Sequence, residues 1–170
     1  KNLELDFFGG EPLLNFDVIK QTVEYGRERE KEYNKRIGFT MTTNATLLND
    51  EMEDFINENM NNVVLSIDGR KDINDSMRRN VDGTGTFDQI INNIERFVKK
   101  REGKSYYVRG TFTSKNLDFS NDVIFLADKG FKEVSIEPVV TEPNKLYALK
   151  EEHLPKIYDE YEKLANKIIE

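Results

Sequence analysis

Apolar and polar positions along the chain follow two periods in turn. Leu3, Leu5 and Phe7 share one parity of a period-2 run, with Glu4, Asp6 and Phe8 on the other, as in a strand. Runs at 37–43, 62–68, 106–113 and 133–139 predict four more strands. Between them apolar residues recur at helical spacing. Val18, Ile19, Val23 and Tyr25 follow an Asn15 cap, Met52, Phe55, Ile56 and Met60 follow Asn49 or Asp50, and Phe87, Ile90, Ile91, Ile94, Phe97 and Val98 follow Thr86. Val123, Ile124, Leu126 and Ala127 follow Asp118 or Ser120 and stop at Gly130, a good C′ residue. Residues 70–85 read as a long polar loop. A last helix is predicted from about Leu154, with Pro155 tolerated in its first turn.

Strand followed by helix, five times over, predicts an α/β fold with parallel strands and crossover helices. Strand starts recur about every 33 residues, a normal βα repeat. A complete eight-unit barrel needs about 250 residues, and 170 are too few.

Buried parallel strands usually read as apolar on both faces. Here one parity is polar: Glu4 and Asp6; Thr40, Thr42 and Asn44; Ser66 and Asp68; Arg109, Thr111 and Thr113; Ser135 and Glu137. The other parity is apolar throughout and calls for helices to cover it. Polar groups left unpaired in a dry core cost about 1–3 kcal/mol each, so the polar face lines something wet or ligand-filled. An open sheet with one solvated face is the simpler alternative; a ligand-lined lumen is the preferred reading. Many of these side chains fall at C-terminal strand ends, where βα-barrel sites sit.

Composition narrows the field. Hydrophobic residues at 37% and aromatics at 11% fit one soluble globular domain. Lys plus Arg total 25 against 32 Asp plus Glu, a net charge of −7 that argues against nucleic acid or an anionic membrane as partner. With no Cys and one His, the chain supplies no metal site of the usual zinc or iron–sulfur kind. The start shows no signal peptide, so the expected location is cytoplasmic. Lys1 enters a strand without an initiator Met, as expected for an excised piece of a longer protein.

The first strand ends in Gly9-Gly10-Glu11-Pro12. Paired glycines let backbone pass close to a ligand or through positive φ, and Glu11 sets a negative charge beside them. A cation approaching this corner meets a carboxylate and unshielded backbone together. The plainer alternative is a tight strand-to-helix turn with an exposed Glu.

Phe-Phe-Gly-Gly-Glu-Pro at 7–12, Thr-Thr-Asn at 42–44 and Leu-Ser-Ile-Asp-Gly at 65–69 together resemble the radical S-adenosylmethionine (SAM) enzymes. Asn-Asp-Ser-Met-Arg at 74–78 and Gly-Thr-Gly-Thr-Phe at 83–87 fit the same family. Within it the chain resembles peptide maturases with a SPASM-type domain. Tyr-Tyr-Val-Arg-Gly-Thr-Phe-Thr at 106–113 and Glu-Pro-Val-Val at 137–140 are similar to the maturase that forms thioethers in six-cysteine (SCIFF) precursor peptides.

The resemblance implies a partial (β/α)6 TIM-type barrel with parallel strands and outer helices, residues 1–170 holding strands two to six. The first strand and its cysteine loop, which ligates a [4Fe–4S] cluster, would precede Lys1, and an auxiliary-cluster domain would follow Glu170. It implies SAM as cofactor, a short Cys-rich ribosomal precursor peptide as partner, and a reducing electron donor. The parent enzyme would form a 5′-deoxyadenosyl radical, abstract hydrogen from the peptide and allow a sulfur–carbon cross-link. The piece alone is expected to be inactive.

Roles carry over residue by residue. Gly9, Gly10 and Glu11 match the motif that holds the methionyl ammonium, a charge-assisted contact. Ser66 matches a contact to ribose or the methionyl carboxylate, and Arg78 an arginine pairing with that carboxylate. Asn44, Asp68 and Val139 are expected to line the cofactor, Val139 against adenine. Asp6, Thr42, Arg109, Thr111 and Glu137 are candidates for binding the peptide, and no residue is assigned a catalytic role. Rival outcomes are sulfatase maturation or another radical SAM modification, and a non-catalytic peptide-binding module with a disused SAM pocket.

Overall fold

A computed structural model describes residues 2–169. The strands β1 (Asn2–Phe7), β2 (Arg36–Thr43), β3 (Asn62–Ser66), β4 (Ser105–Phe112) and β5 (Val134–Pro138) form one parallel sheet in chain order. The helices are α1 (Phe16–Tyr33), α2 (Asp50–Asn59), α3 (Lys71–Met77), α4 (Phe87–Lys100), α5 (Ser120–Asp128) and α6 (Leu154–Ile169). This is the α/β alternation that the two periods predict. By contacts the chain divides into two compact units, Lys1–Ser66 with Asp88–Tyr107, and Ile67–Phe87 with Val108–Glu170.

In the first unit, Asp6 pairs with Thr40 and Phe7 with Met41 across β1 and β2, and Met41 pairs with Val63 across β2 and β3. Side chains alternate faces along each strand, so this register keeps the two parities apart. Phe39, Met41, Val63 and Leu65 are fully buried, whereas Thr40, Thr42 and Ser66 stay half-exposed. Helix α1 buries Phe16, Ile19, Val23 and Gly26, and a Cβ on Gly26 would stand 2.6 Å from the Phe39 ring, so helix backbone packs directly on the sheet. Ile90, Ile91, Ile94 and Phe97 of α4 are buried as well, each contributing about 1.5–3 kcal/mol.

In the second unit, Arg109 pairs with Ser135 and Thr111 with Glu137 across β4 and β5, which again sets the polar parities side by side. Phe112 and Phe119 stack with centroids 4.1 Å apart, Tyr161 meets Phe119 edge-on at 5.0 Å, and Ile157 completes the cluster. Glu160 of α6 is wholly buried there, accepting from Ser120 and paired with Lys156 at 3.0 Å and Lys163 at 2.5 Å.

Several local expectations change. The loop at 70–85 contains a helix, α3, whose polar sequence carries no apolar stripe to announce it. Asn15 stands at the N-terminal boundary of α1 but forms no side-chain cap; Glu11 caps the 3-10 turn Pro12–Asn15 instead. Thr86 does not cap α4 through its hydroxyl, which donates to the Arg78 carbonyl, and the Phe87 N–H goes to Asp75 at 2.8 Å. Thr113 follows the end of β4 and is buried in its own turn, donating to Asn116 at 3.0 Å. Leu3, on the apolar parity, stays exposed because β1 is the edge of the sheet.

Candidate functional site

In the first unit, β1 releases the chain at Phe7 and the next five residues turn toward α1. Gly9 holds φ at +147°, a value that favours glycine. Nothing lies within 4 Å of where a Cβ would stand at Gly9 or Gly10, and both residues are exposed. Packing within the protein therefore does not call for glycine at either position, although the backbone conformation does at Gly9. The corner walls a cleft of about 320 Å³ with Asp6, Phe7, Phe8, Asn15, Val18 and Ile19.

Glu11 does not wave free at this corner. Its Oε1 accepts the Leu13 N–H at 3.0 Å and the Thr43 hydroxyl at 2.8 Å, and its Oε2 accepts the Asn44 N–H at 2.7 Å. The carboxylate thus clamps the glycine corner to the C-terminal end of β2. Ala45, buried just beyond, holds φ at +61°, and Thr43 accepts its N–H at 3.1 Å. The Asn44 carboxamide oxygen accepts from both the N–H and the hydroxyl of Thr46, so Asn44 is spent in part on its own turn. Asp6 accepts the Thr40 hydroxyl at 2.7 Å, and Thr42 and Ser66 are half-buried on the same parity.

A larger cavity of about 850 Å³ lies at the other ends of β1 and β2, lined by Asn2, Glu4, Arg27, Arg36, Gly38 and Asn61 among others. Volume alone favours it, but βα sites form at C-terminal strand ends, and the glycine corner is the one that meets that rule.

In the second unit, Asp68 lies two residues past β3 with its side chain only 4% exposed. Its Oδ2 accepts Nε of Arg78 and its Oδ1 accepts Nη2, both at 2.8 Å, while Oδ1 also takes the Thr111 N–H at 2.9 Å. Both oxygens of Asp68 thus accept hydrogen bonds within the protein. Arg78, at the C-cap of α3, gives one edge of its guanidinium to that carboxylate and keeps the Nη1–Nη2 edge without a protein acceptor among the described residues. Asn74, fully buried in α3, ties the segment together: its oxygen accepts the Asp68 N–H at 3.3 Å, and its amide donates to Asp75 and Thr86 at 3.2 Å each.

Arg70 pairs through Nε with Asp122 at 2.7 Å and through Nη2 with Asp118 at 3.0 Å. The Asp122 hydrogen bond raises the Arg70 pKa above its ordinary value, and the Arg70 guanidinium lowers that of Asp118. Arg109 and Glu137 approach at 3.4 Å on the polar parity, the Nε of Arg109 buried without a hydrogen-bond partner. Val139, just past β5, is half-buried and donates its N–H to the Phe112 carbonyl at 2.9 Å. Asn74 was missed as a structural hub because a buried Asn in a polar run looks like any solvated one; its place four residues before Arg78 was the available signal.

The family model described as the radical SAM superfamily matches residues 4–113. An uncharacterized protein of Methanocaldococcus jannaschii is 31% identical over 170 residues, covering 98% of this chain and 55% of that protein. A cysteine-type anaerobic sulfatase-maturating enzyme of Clostridium perfringens is 29% identical over 162 residues, covering 91% of this chain and 42% of the relative. The solved structure of native anSMEcpe with bound AdoMet and Kp18Cys peptide superposes with a TM-score of 0.87 at 23% identity, covering 99% of this chain and 48% of the other. That likeness establishes the fold as a partial radical SAM TIM-type barrel. The chain spans about half, or less, of the length of these relatives.

Proposed function

The chain belongs to the radical SAM superfamily, and from that premise we propose that it is the SAM-binding core of a peptide-modifying enzyme. The observation that carries the reading is the Gly9–Gly10 backbone, exposed beside an open cleft and backed by the Glu11 carboxylate. The ammonium of an amino acid suits such a corner: carbonyl oxygens supply acceptors, and a fixed carboxylate supplies the opposite charge. Gly9, Gly10 and Glu11 would hold the methionyl ammonium, with Asn44 and Ser66 as further contacts from the first unit. Arg78 would take the methionyl carboxylate on its open edge, and Val139 would pack on adenine.

When bound and reduced at a [4Fe–4S] cluster, SAM supplies the hydrogen-abstracting chemistry; this chain's residues supply binding and orientation. The cysteines that would ligate the cluster are not among the 170 residues. We assign the substrate to a short Cys-rich ribosomal peptide in which a thioether forms, with Asp6, Thr42, Arg109, Thr111 and Glu137 as candidate peptide contacts.

A second reading, maturation of a sulfatase cysteine, is favoured by relatives in Clostridium novyi and Clostridium perfringens that bear that name. Incubating the full-length protein, with SAM and a reductant, with a Cys-rich precursor and with a sulfatase-derived peptide separates the two. Loss of two mass units from the precursor alone, with alkylation-resistant sulfur, supports thioether formation. Oxidation of the sulfatase peptide alone replaces that assignment with the second.

A further inference from the structure

We propose that Asp68 is a positioning residue: by gripping Arg78 along its Nε–Nη2 edge, it aims the Nη1–Nη2 edge at the carboxylate of SAM. The inference rests on the Arg78 assignment above and goes beyond it. A guanidinium has two bidentate edges, and both lie in one plane. Two bonds of 2.8 Å to Asp68 fix that plane, leaving one fork for a second carboxylate.

Asp68 is itself held hard. Its Oδ1 accepts the Thr111 N–H at 2.9 Å and its own N–H donates to Asn74 at 3.3 Å. Gly110 lets β4 lie against it, since a Cβ there would come within 2.9 Å of the Ile67 carbonyl and 3.2 Å of the Asp68 Cα. The Thr86 hydroxyl donates to the Arg78 carbonyl at 3.1 Å, so backbone and side chain of Arg78 are fixed by different partners. The Arg78 side chain keeps 28% of its surface exposed while that of Asp68 keeps 4%, as expected if one meets a ligand and the other only its neighbour. An arginine at the end of a seven-residue helix would otherwise lose its rotamer freedom on each binding event.

The test uses the full-length protein without reductant and measures dissociation constants for SAM and for decarboxylated SAM, which keeps the sulfonium, ammonium and adenosine. Wild type should prefer SAM, and Arg78→Ala should erase the preference. Asp68→Asn should weaken SAM by about tenfold or more, leave decarboxylated SAM unchanged, and so collapse the ratio. If Asp68→Asn weakens both ligands equally or neither, the carboxylate is only structural and the inference falls. If Arg78→Ala keeps the wild-type ratio, the Arg78 assignment falls first, a distinguishable result. Arg78→Lys covers the case in which Asp68→Asn does not fold: a lysine keeps the charge without the fork. A lowered SAM preference in that variant supports the inference, and an unchanged one overturns it.

Discussion

The Thr43 hydroxyl donates to the Glu11 carboxylate across 2.8 Å, binding the corner after β1 to the last residue of β2. The motif glutamate is thus as much a clamp as a charge, since Leu13 and Asn44 N–H groups meet the same two oxygens. Glu11→Ala removes three hydrogen bonds at once and should cost about 1–3 kcal/mol of stability. Glu11→Gln keeps one oxygen and should cost less. Urea denaturation of the full-length variants checks both, and equal midpoints for wild type and Glu11→Ala would deny the clamp.

Gly10 separates binding from packing. No protein atom stands within 4 Å of its absent Cβ, so Gly10→Ala should leave the urea midpoint within about 0.5 kcal/mol of wild type. The added methyl intrudes on the space assigned to SAM, and affinity should fall at least about tenfold. Isothermal titration reads that affinity.

Gly69 gives the opposite pattern. It holds φ at +117°, and a Cβ would meet the Asp122 Cβ at 2.3 Å. Gly69→Ala should cost about 2–4 kcal/mol from strain and overpacking combined. A thermal melt within two degrees of wild type would contradict this.

The sheet was legible because period 2 and period 3.6 alternate cleanly, and the polar parity survives in the registers Asp6–Thr40 and Thr111–Glu137. The glycine corner was legible from residue type alone. Helix α3 was not, because a seven-residue polar segment is stabilised by hydrogen bonds from Asn74 rather than by an apolar stripe. Nor was the pairing of Asp68 with Arg78. Period 2 extended the strand through Asp68 and placed its carboxylate with the lining groups; strand β3 ends at Ser66, and Asp68 two residues on is buried against Arg78 and the Thr111 N–H. Which carboxylate an arginine meets ten residues away is decided by a turn, and pattern does not encode it.

Acid stability has a specific source in Glu160. Burial pushes its pKa up, but Lys163, Ser120 and Lys156 outweigh that and bring it to about 2, below the ordinary 4.5. A depressed carboxylate pKa means stability that is complete above pH 4.5 and lost as pH falls from 4.5 toward 2. Glu160→Gln should therefore be destabilised at pH 7 and should lose much of the wild-type decline between pH 5 and 3. Denaturation midpoints across that range decide it; parallel declines in the two proteins would assign the acid loss elsewhere.

The account stands most directly on SAM binding by the full-length protein, measured by equilibrium dialysis without reductant. It predicts saturable binding of about one equivalent, weakened about tenfold or more by Gly10→Ala and by Arg78→Ala in separately purified, folded variants. Absence of saturable binding to the wild type, or identical isotherms for all three proteins, would contradict it.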